Sequence, residues 1–190
     1  MDFLKLLEKN RTYRKFDQQR SLSEEKLLQL IEYARRCASG GNAQPLRYRL
    51  VHQSDELAAT FSTLKWAAAL PDWERPEEGE RPAAYIVILK DTQTKDLASL
   101  TDAGIAMQSI LLGASDMGYG GCIIASVDKD KLRKNLNIPE RYEILFVVAL
   151  GVPAERVQLE EADFGDKLDY YRDSDEVHHV PKLRLDELIV

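Results

Sequence analysis

Residues 102–117 constrain the fold of this chain more than any other segment, because they are apolar on nearly every side. A helix without a polar face must lie centrally in a core or be shared with another subunit. We therefore expect a central helix here, with Asp102 as its N-cap and Gly118 at its end. Its apolar residues are Ala103, Ile105, Ala106, Met107, Ile110, Leu111, Leu112 and Ala114.

The segments around this helix alternate between helix and strand. Apolar periodicity and start signals predict helices over residues 1–10, 23–38, 55–64 and 129–136, the second ending at Gly40 and Gly41. Short apolar or alternating runs predict strands over residues 47–52, 83–89, 122–125 and 144–150. Beyond residue 152 we expect an acidic loop and a short apolar end. Because the even βαβ spacing of a doubly wound fold is missing, the pattern favours an α+β layered sandwich in one domain, residues 1–190.

The charge of the chain argues against a polyanionic partner. The 26 Lys and Arg residues face 32 Asp and Glu residues, a net charge of -6, so an anionic ligand needs a local basic cluster. No stretch approaches the roughly 18 apolar residues that span a bilayer. The first residues lack the features of a signal peptide. We therefore expect a cytoplasmic protein that binds neither nucleic acid nor a membrane.

The cysteines and the C-terminal histidine pair do not indicate a metal or disulfide site. Cys37 and Cys122 lie far apart, without the spacing of zinc ligands or of a redox motif. His178 and His179 are neighbours in an extended segment, so their side chains point to opposite sides and cannot easily share one ion. We expect these histidines at a surface or an interface.

The first candidate binding cluster is Arg11-Thr12-Tyr13-Arg14, which follows the first helix. Two guanidinium groups around a hydroxyl can bind a phosphate, because Arg supplies forked donors and Thr supplies a further hydrogen bond. The same residues also fit a solvated turn with ordinary surface arginines. Taken alone, the cluster favours the solvated turn.

The second cluster spans residues 39–45, with the sequence SGGNAQP. Gly40 and Gly41 would let the backbone approach a flat ligand closely, and the amides of Asn42 and Gln44 would suit the donors and acceptors of an imide edge. A helix C-cap followed by a turn explains the same residues. The two interpretations are compatible.

The third cluster, GYGGCIIAS at residues 118–126, is not a dinucleotide fingerprint. Its glycines close a helix and open a strand, whereas in that fingerprint they follow a strand and open a helix. Backbone amides at such a strand can still face a ligand. Near the carboxyl end, Lys182 and Arg184 flank Leu183 and would add positive charge.

In their order and spacing these clusters resemble the nitroreductase family from end to end. The family patterns R-R-S-x-R-x-F and P-S-x-x-N-x-Q-P are similar to NRTYRKF at 10–16 and ASGGNAQP at 38–45. The pattern D-x-G-x-A-x-Q matches DAGIAMQ at 102–108, and G-x-G-x-C and the closing strand into GVP at 151–153 match as well. The resemblance implies a three-layer α/β/α sandwich around a central mixed, mostly antiparallel sheet, in an intertwined homodimer.

The resemblance also implies FMN, bound between the two subunits. Arg11 and Thr12 would hold the phosphate together with Lys182 and Arg184. Arg14 would lie beside N1 and O2 of the isoalloxazine, where a cation stabilises the negative charge that reduction places on the ring. The other implied flavin contacts are the loop that reaches across from the partner subunit and the backbone near N5: Ser39, Gly40, Asn42 and Gln44 in the loop, and Ala125 and Ser126 in the backbone.

The chain departs from the family pattern in three places. Asn10 stands where many members carry the first Arg, and Ala38 replaces the usual Pro. Residues 66–81, with two tryptophans, match the family poorly and are long enough to form a lid. Because this region shapes the substrate pocket in the family, the identity of the substrate is not carried over.

The implied activity is that of an oxidoreductase in which NAD(P)H reduces FMN and a small electrophile is reduced in turn. A nitroaromatic or a quinone is such an electrophile. The flavin N5 would do the chemistry, so no catalytic side chain is expected. Two alternatives stay open: a flavin-binding or redox-sensing module with little turnover, and another flavin reaction on the same fold, such as dehalogenation or fragmentation of the flavin.

Overall fold

The computed structural model describes residues 2–67, 70 and 73–190. Within these ranges the helices α1 to α5 are Phe3–Lys9, Glu24–Arg35, Ser54–Phe61, Ser99–Asp116 and Lys129–Leu136. The strands β1 to β8 are Phe16–Asp17, Leu46–Val51, Ala84–Asp91, Gly120–Ile124, Tyr142–Pro153, Val157–Ala162, Tyr171–Arg172 and His178–Leu183. Two short 3-10 helices are Gly40–Asn42 and Leu185–Leu188. The helices and strands predicted before residue 153 are present, with ends that shift by a few residues.

The long strand β5 is the centre of the main sheet. It pairs with β3, β4 and β1, while β2 pairs with the far edge of β3. These four pairings are antiparallel. A parallel bridge joins Thr12 to Gly121 beside β4. The sheet is thus mostly antiparallel, as the resemblance implies.

Helices cover both faces of this sheet. Successive side chains of a strand point to opposite faces. On β3, Ile86 and Ile88 therefore pack with α2 and α4, while Tyr85 and Val87 pack with α3 and α5. The strand is buried on both faces, as its unbroken apolar run predicted. The result is a three-layer α/β/α sandwich, which confirms the α+β prediction.

The central helix α4 buries one face and exposes another. Ala103, Met107 and Ile110 lie in the core against α2 and the sheet. On the other side Leu100 is 64% exposed and Ile105 is 38% exposed. The helix is therefore central on one side, and its other apolar side has no cover within the described part of the chain.

Three local predictions about the ends of α2 and α4 have clear outcomes. The glycine stop of α2 is wrong, because the helix ends at Arg35 and the last turn is tightened by a bond from the Cys37 amide to the Ala34 carbonyl. Asp102 is not an N-cap, because α4 begins at Ser99 and Asp102 lies inside its first turn. The end of α4 is as predicted, since Gly118 has the positive φ of 83° that a helix terminus favours.

A second sheet follows residue 153, where the sequence predicted an acidic loop, so that prediction is wrong. β6 and β8 pair in parallel, and β7 pairs with β8 antiparallel. The strands of this sheet are short, so their local preference for extended structure is weak. Pairing between distant segments decides the structure here.

Part of the segment predicted as a lid lies outside the described residues, namely 68, 69, 71 and 72. At the start of the segment, Trp66 is buried, and its ring centroid lies 6.1 Å from that of Phe61. The described residues include no helix with the length and hydropathy needed to cross a membrane.

Candidate functional site

A cleft of about 390 Å³ brings together cationic residues from both ends of the chain. Residues 10–14, α4, β4 and the C-terminal sheet form its walls. Arg11, Arg14 and Lys182 supply positive charge, and Thr12 supplies a hydroxyl. Among the described residues that line the cleft, none is Asp or Glu. The cleft is therefore electropositive in a chain whose net charge is -6.

Close backbone contact with β4 positions the first basic cluster. The Tyr13 amide donates to the Gly121 carbonyl at 3.0 Å, so the segment runs beside the strand. A side chain at Gly121 would collide with the Ala149 carbonyl oxygen, and one at Gly120 would collide with the Tyr13 ring. Gly120 thus allows the close approach of Tyr13, and Gly121 allows the close approach of β5.

A buried carboxylate, that of Glu155, fixes the backbone of the same segment. Its Oε1 accepts from the Arg14 amide and, at 3.0 Å, from the Lys15 amide. Its Oε2 accepts from Arg172 Nη2 at 2.7 Å, and its side chain is only 2% exposed. The turn that carries Arg14 is therefore fixed by charge-assisted hydrogen bonds.

The Arg14 side chain is enclosed by two residues of the C-terminal region. It is 8% exposed, and its guanidinium carbon lies 4.5 Å from the centroid of the Tyr170 ring. Its Nη1 lies 3.1 Å from Nε2 of His178. Burial, and secondly the charge of Arg14, lower the pKa of His178 to about 4. The imidazole is consequently neutral at physiological pH.

The residues predicted to bind phosphate leave hydrogen-bonding capacity unused. Arg11 donates from Nη2 to the Leu7 carbonyl at 2.6 Å, but its buried Nε has no partner among the described residues. Burial lowers the pKa of Arg11. Thr12 and Lys182 are exposed beside it. An anion in the cleft would satisfy these donors, so the residues present fit the phosphate end of FMN.

The second cluster is held by hydrogen bonds to Asp102 and does not line the cationic cleft. Asp102 is 4% exposed, and it accepts from Ser39 Oγ at 2.6 Å and from the Gly40 amide at 2.9 Å. Asn42 and Gln44 are exposed and have positive φ values of 53° and 47°. Ser39 and Gln44 line a separate cavity of about 280 Å³. Within one chain, the loop is not brought to the cationic cleft.

The remaining predicted residues lie at different distances from the cleft. Ile123, on β4, lines the cleft. Ala125 and Ser126 follow the end of the same strand and are exposed. Arg184 does not line it, since its guanidinium pairs with Asp186 at 3.3 Å and lies 3.6 Å from Asp163. A role of Arg184 at the phosphate stays a prediction.

Sequence reasoning missed three residues of this site: Glu155, Tyr170 and His178. The expected surface or interface position of His178 is wrong, because it is 1% exposed and faces Arg14. The two histidines do point to opposite sides, as the extended segment predicted: His179 pairs instead with two carboxylates of the C-terminal sheet. The pairing of the C-terminal strands brings these residues together, so no local sequence pattern indicated them.

Comparison with known proteins identifies relatives along most of the chain. The protein-family model described as "Nitroreductase family" matches residues 7–152 of this chain. A protein of Archaeoglobus fulgidus, provisionally named an NADH dehydrogenase/NAD(P)H nitroreductase, is 26% identical over 84% of this chain and 90% of its own. A nitroreductase family protein of Clostridium novyi is 27% identical, with a TM-score of 0.67 over 80% of this chain and 87% of that chain.

A further solved structure carries a ligand in its description. It is a nitroreductase-like protein of Exiguobacterium sibiricum, described as a complex with FMN. It is 17% identical, with a TM-score of 0.68 over 82% of this chain and 90% of that chain. At that identity the likeness concerns the fold.

Proposed function

This chain belongs to the nitroreductase family, and from that premise we propose that it is an FMN-dependent oxidoreductase. It takes hydride from NAD(P)H and reduces a small electrophile such as a nitroaromatic or a quinone. The names of relatives support an oxidoreductase that uses a nicotinamide cofactor, and a structural neighbour in complex with FMN supports the flavin.

One observation carries the proposal: the cleft in which Arg11, Arg14 and Lys182 meet. These residues are far apart in the sequence, and no carboxylate among the described lining residues neutralises them. Three positive charges gathered in this way repel one another, and a bound anion would offset that repulsion. A phosphate monoester provides that anion, and the apolar side chains of Leu111, Ile123 and Val180 provide contact for a flat ring.

The residues of the cleft divide the work of binding between them. Arg11, Thr12 and Lys182 hold the phosphate by charge-assisted hydrogen bonds. Arg14, fixed by its neighbours, places a permanent positive charge beside the ring edge that becomes negative on reduction. When bound, FMN supplies the hydride chemistry at its N5, so the chain needs no nucleophile.

The proposal includes a homodimer, because the second cluster must reach a cleft that it does not reach within one chain. Exposed apolar side chains offer an interface: Leu100 and Ile105 on α4, Phe3 and Leu4 on α1, and Leu185, Leu188 and Ile189 at the carboxyl end. Apolar exposure on this scale is typical of surfaces that associate. Ser39, Gly40, Asn42 and Gln44 would then contact the flavin of the partner subunit.

The test is a spectroscopic titration of the purified protein. FMN should bind with a visible absorption band, NADH or NADPH should bleach that band without oxygen, and a quinone or nitroaromatic should restore it. A yellow protein that neither nucleotide bleaches would instead indicate a flavin-binding module. A protein that does not bind FMN would contradict the proposal.

A further inference from the structure

We propose that His178, assisted by Tyr170, is a positioning residue that fixes the guanidinium of Arg14 in the cleft by accepting a hydrogen bond from it. The inference rests on the proposed function, since it takes FMN to be the ligand toward which Arg14 is directed. It assigns a role to the one buried histidine of the C-terminal sheet, which lies more than 160 positions from Arg14 in the sequence.

The protonation state of His178 follows from its partner. Arg14 Nη1 and His178 Nε2 are 3.1 Å apart, and both side chains are buried. A guanidinium is always charged and only donates hydrogen bonds. Nε2 must therefore accept, and the ring must be neutral with its proton on Nδ1. A protonated ring would place a second donor and a second positive charge against Arg14.

Tyr170 restrains the guanidinium from another direction. Its ring centroid lies 4.5 Å from the guanidinium carbon, within the range of a cation–π contact. The rings of Tyr170 and His178 are 5.1 Å apart, so the two side chains also pack on each other. A planar cation with an acceptor at one nitrogen and an aromatic ring over its face has few orientations left. Its charge is thereby kept at one place in the cleft.

The His178 imidazole carries a cost that packing alone does not explain. Its Nδ1 is buried without a hydrogen-bond partner among the described residues. An unpaired buried donor costs stability, and each such group in a folded protein needs an explanation. A leucine would fill similar space without that cost but would leave Arg14 Nη1 without an acceptor. The hydrogen bond to Arg14 explains why an imidazole stands here.

The neighbouring histidine is excluded from the same role by its contacts. Nδ1 of His179 lies 2.6 Å from Glu160, and its Nε2 lies 2.9 Å from Asp173. Its ring stacks on Tyr171 with centroids 4.7 Å apart. His179 thus joins strands of the C-terminal sheet and does not line the cleft.

The experiment compares His178→Gln and His178→Leu in the full chain, with His52→Leu as the matched control. His52 lies after β2, does not line the cleft and has no partner in the site. The dissociation constants of oxidised and reduced FMN are measured for each protein. A purely structural role would weaken both forms alike, whereas a misplaced Arg14 charge weakens the reduced form more.

We expect His178→Leu to lower the preference for reduced over oxidised FMN about tenfold, which is about 30 mV for a two-electron couple. In His178→Gln the side-chain oxygen can accept from Arg14, so most of the preference should return. His52→Leu should match the wild type. A His178→Leu protein with the wild-type ratio would refute the positioning role while leaving FMN binding intact. If the wild type does not bind FMN at all, the proposed function fails, and this inference with it.

A second measurement needs no variant and no flavin. Nitrogen-15 NMR of the histidine rings in the wild-type protein at neutral pH should show His178 as the neutral tautomer with its proton on Nδ1. A neutral ring with the proton on Nε2, or a charged ring, would overturn the inference whether or not FMN binds.

Discussion

At the scale of single residues, the account depends on how Arg14 is held. Its backbone is fixed by Glu155, and its side chain by His178 and Tyr170. All three lie beyond residue 153, outside the three-layer sandwich. The C-terminal sheet therefore completes the cleft rather than merely extending the fold. Removing the charge of Arg14 and changing the protonation of His178 test this arrangement separately.

Replacing Arg14 with Ala should lower the reduction potential of bound FMN. Reduction adds negative charge to the ring, and the nearby guanidinium stabilises it. The expected change is of the order of 30 mV or more, at about 30 mV per tenfold change in relative affinity. Equilibration with a redox dye measures it. An unchanged potential would remove Arg14 from the ring site, and Arg20→Ala, on an exposed turn outside the cleft, serves as the control.

The protein should lose stability in acid partly through His178. Its pKa is lowered to about 4 in the folded state from 6.5, by burial and by Arg14, while Arg172 and His179 add to the effect and Glu155 opposes it. The unfolded chain therefore binds the proton more readily. Stability should fall as the pH drops from about 6.5 to about 4, and this term should be absent above 6.5.

Urea unfolding at several pH values measures that loss. The term is worth up to about 3 kcal/mol, at about 1.4 kcal/mol per pKa unit. His178→Gln has no such group, so its unfolding free energy should vary less between pH 6.5 and 4 than that of the wild type. Parallel curves for the two proteins would show that His178 is not held neutral.

At the scale of elements, α4 presents two apolar faces with different surroundings. Ile110 is fully buried between α2 and the sheet, whereas Ile105 is 38% exposed on the other side. The same substitution at the two positions therefore separates folding from association.

Ile110→Glu should prevent folding, because an unpaired carboxylate in that core costs several kcal/mol. Ile105→Glu should leave the chain folded and shift it toward the monomer. Circular dichroism follows folding, and light scattering gives the mass in solution. A folded Ile110→Glu protein would mean that α4 is misplaced, and a dimeric Ile105→Glu protein would exclude this face from the interface.

Elements with a local signal were predictable, and those built by distant pairing were not. The apolar run of β3 and the periodicity of α5 are properties of single segments, and both elements form as predicted. The C-terminal sheet depends on the parallel pairing of β6 with β8, which no local pattern encodes. Because Tyr170 and His178 are positioned by that sheet, they were missed, whereas Arg11 and Arg14 lie in one short motif.

At the scale of the whole molecule, positive charge is concentrated in one cleft of a chain that is acidic as a whole. The chain carries a net charge of -6, yet three cations line one cleft. An acidic surface repels polyanions and leaves the cleft as the favourable place for a small one. The central claim is that the phosphate of FMN is held there by residues from both ends of the chain.

Comparing FMN with riboflavin tests that claim most directly, because the two ligands differ only by the phosphate. The wild type should bind FMN at least about tenfold more tightly than riboflavin, as expected for hydrogen bonds between charged groups. Lys182→Ala should weaken FMN binding about tenfold and leave riboflavin binding unchanged, whereas Lys134→Ala on α5 should change neither. Equal affinities for FMN and riboflavin in the wild type, or a Lys182→Ala protein that loses both ligands alike, would contradict the account.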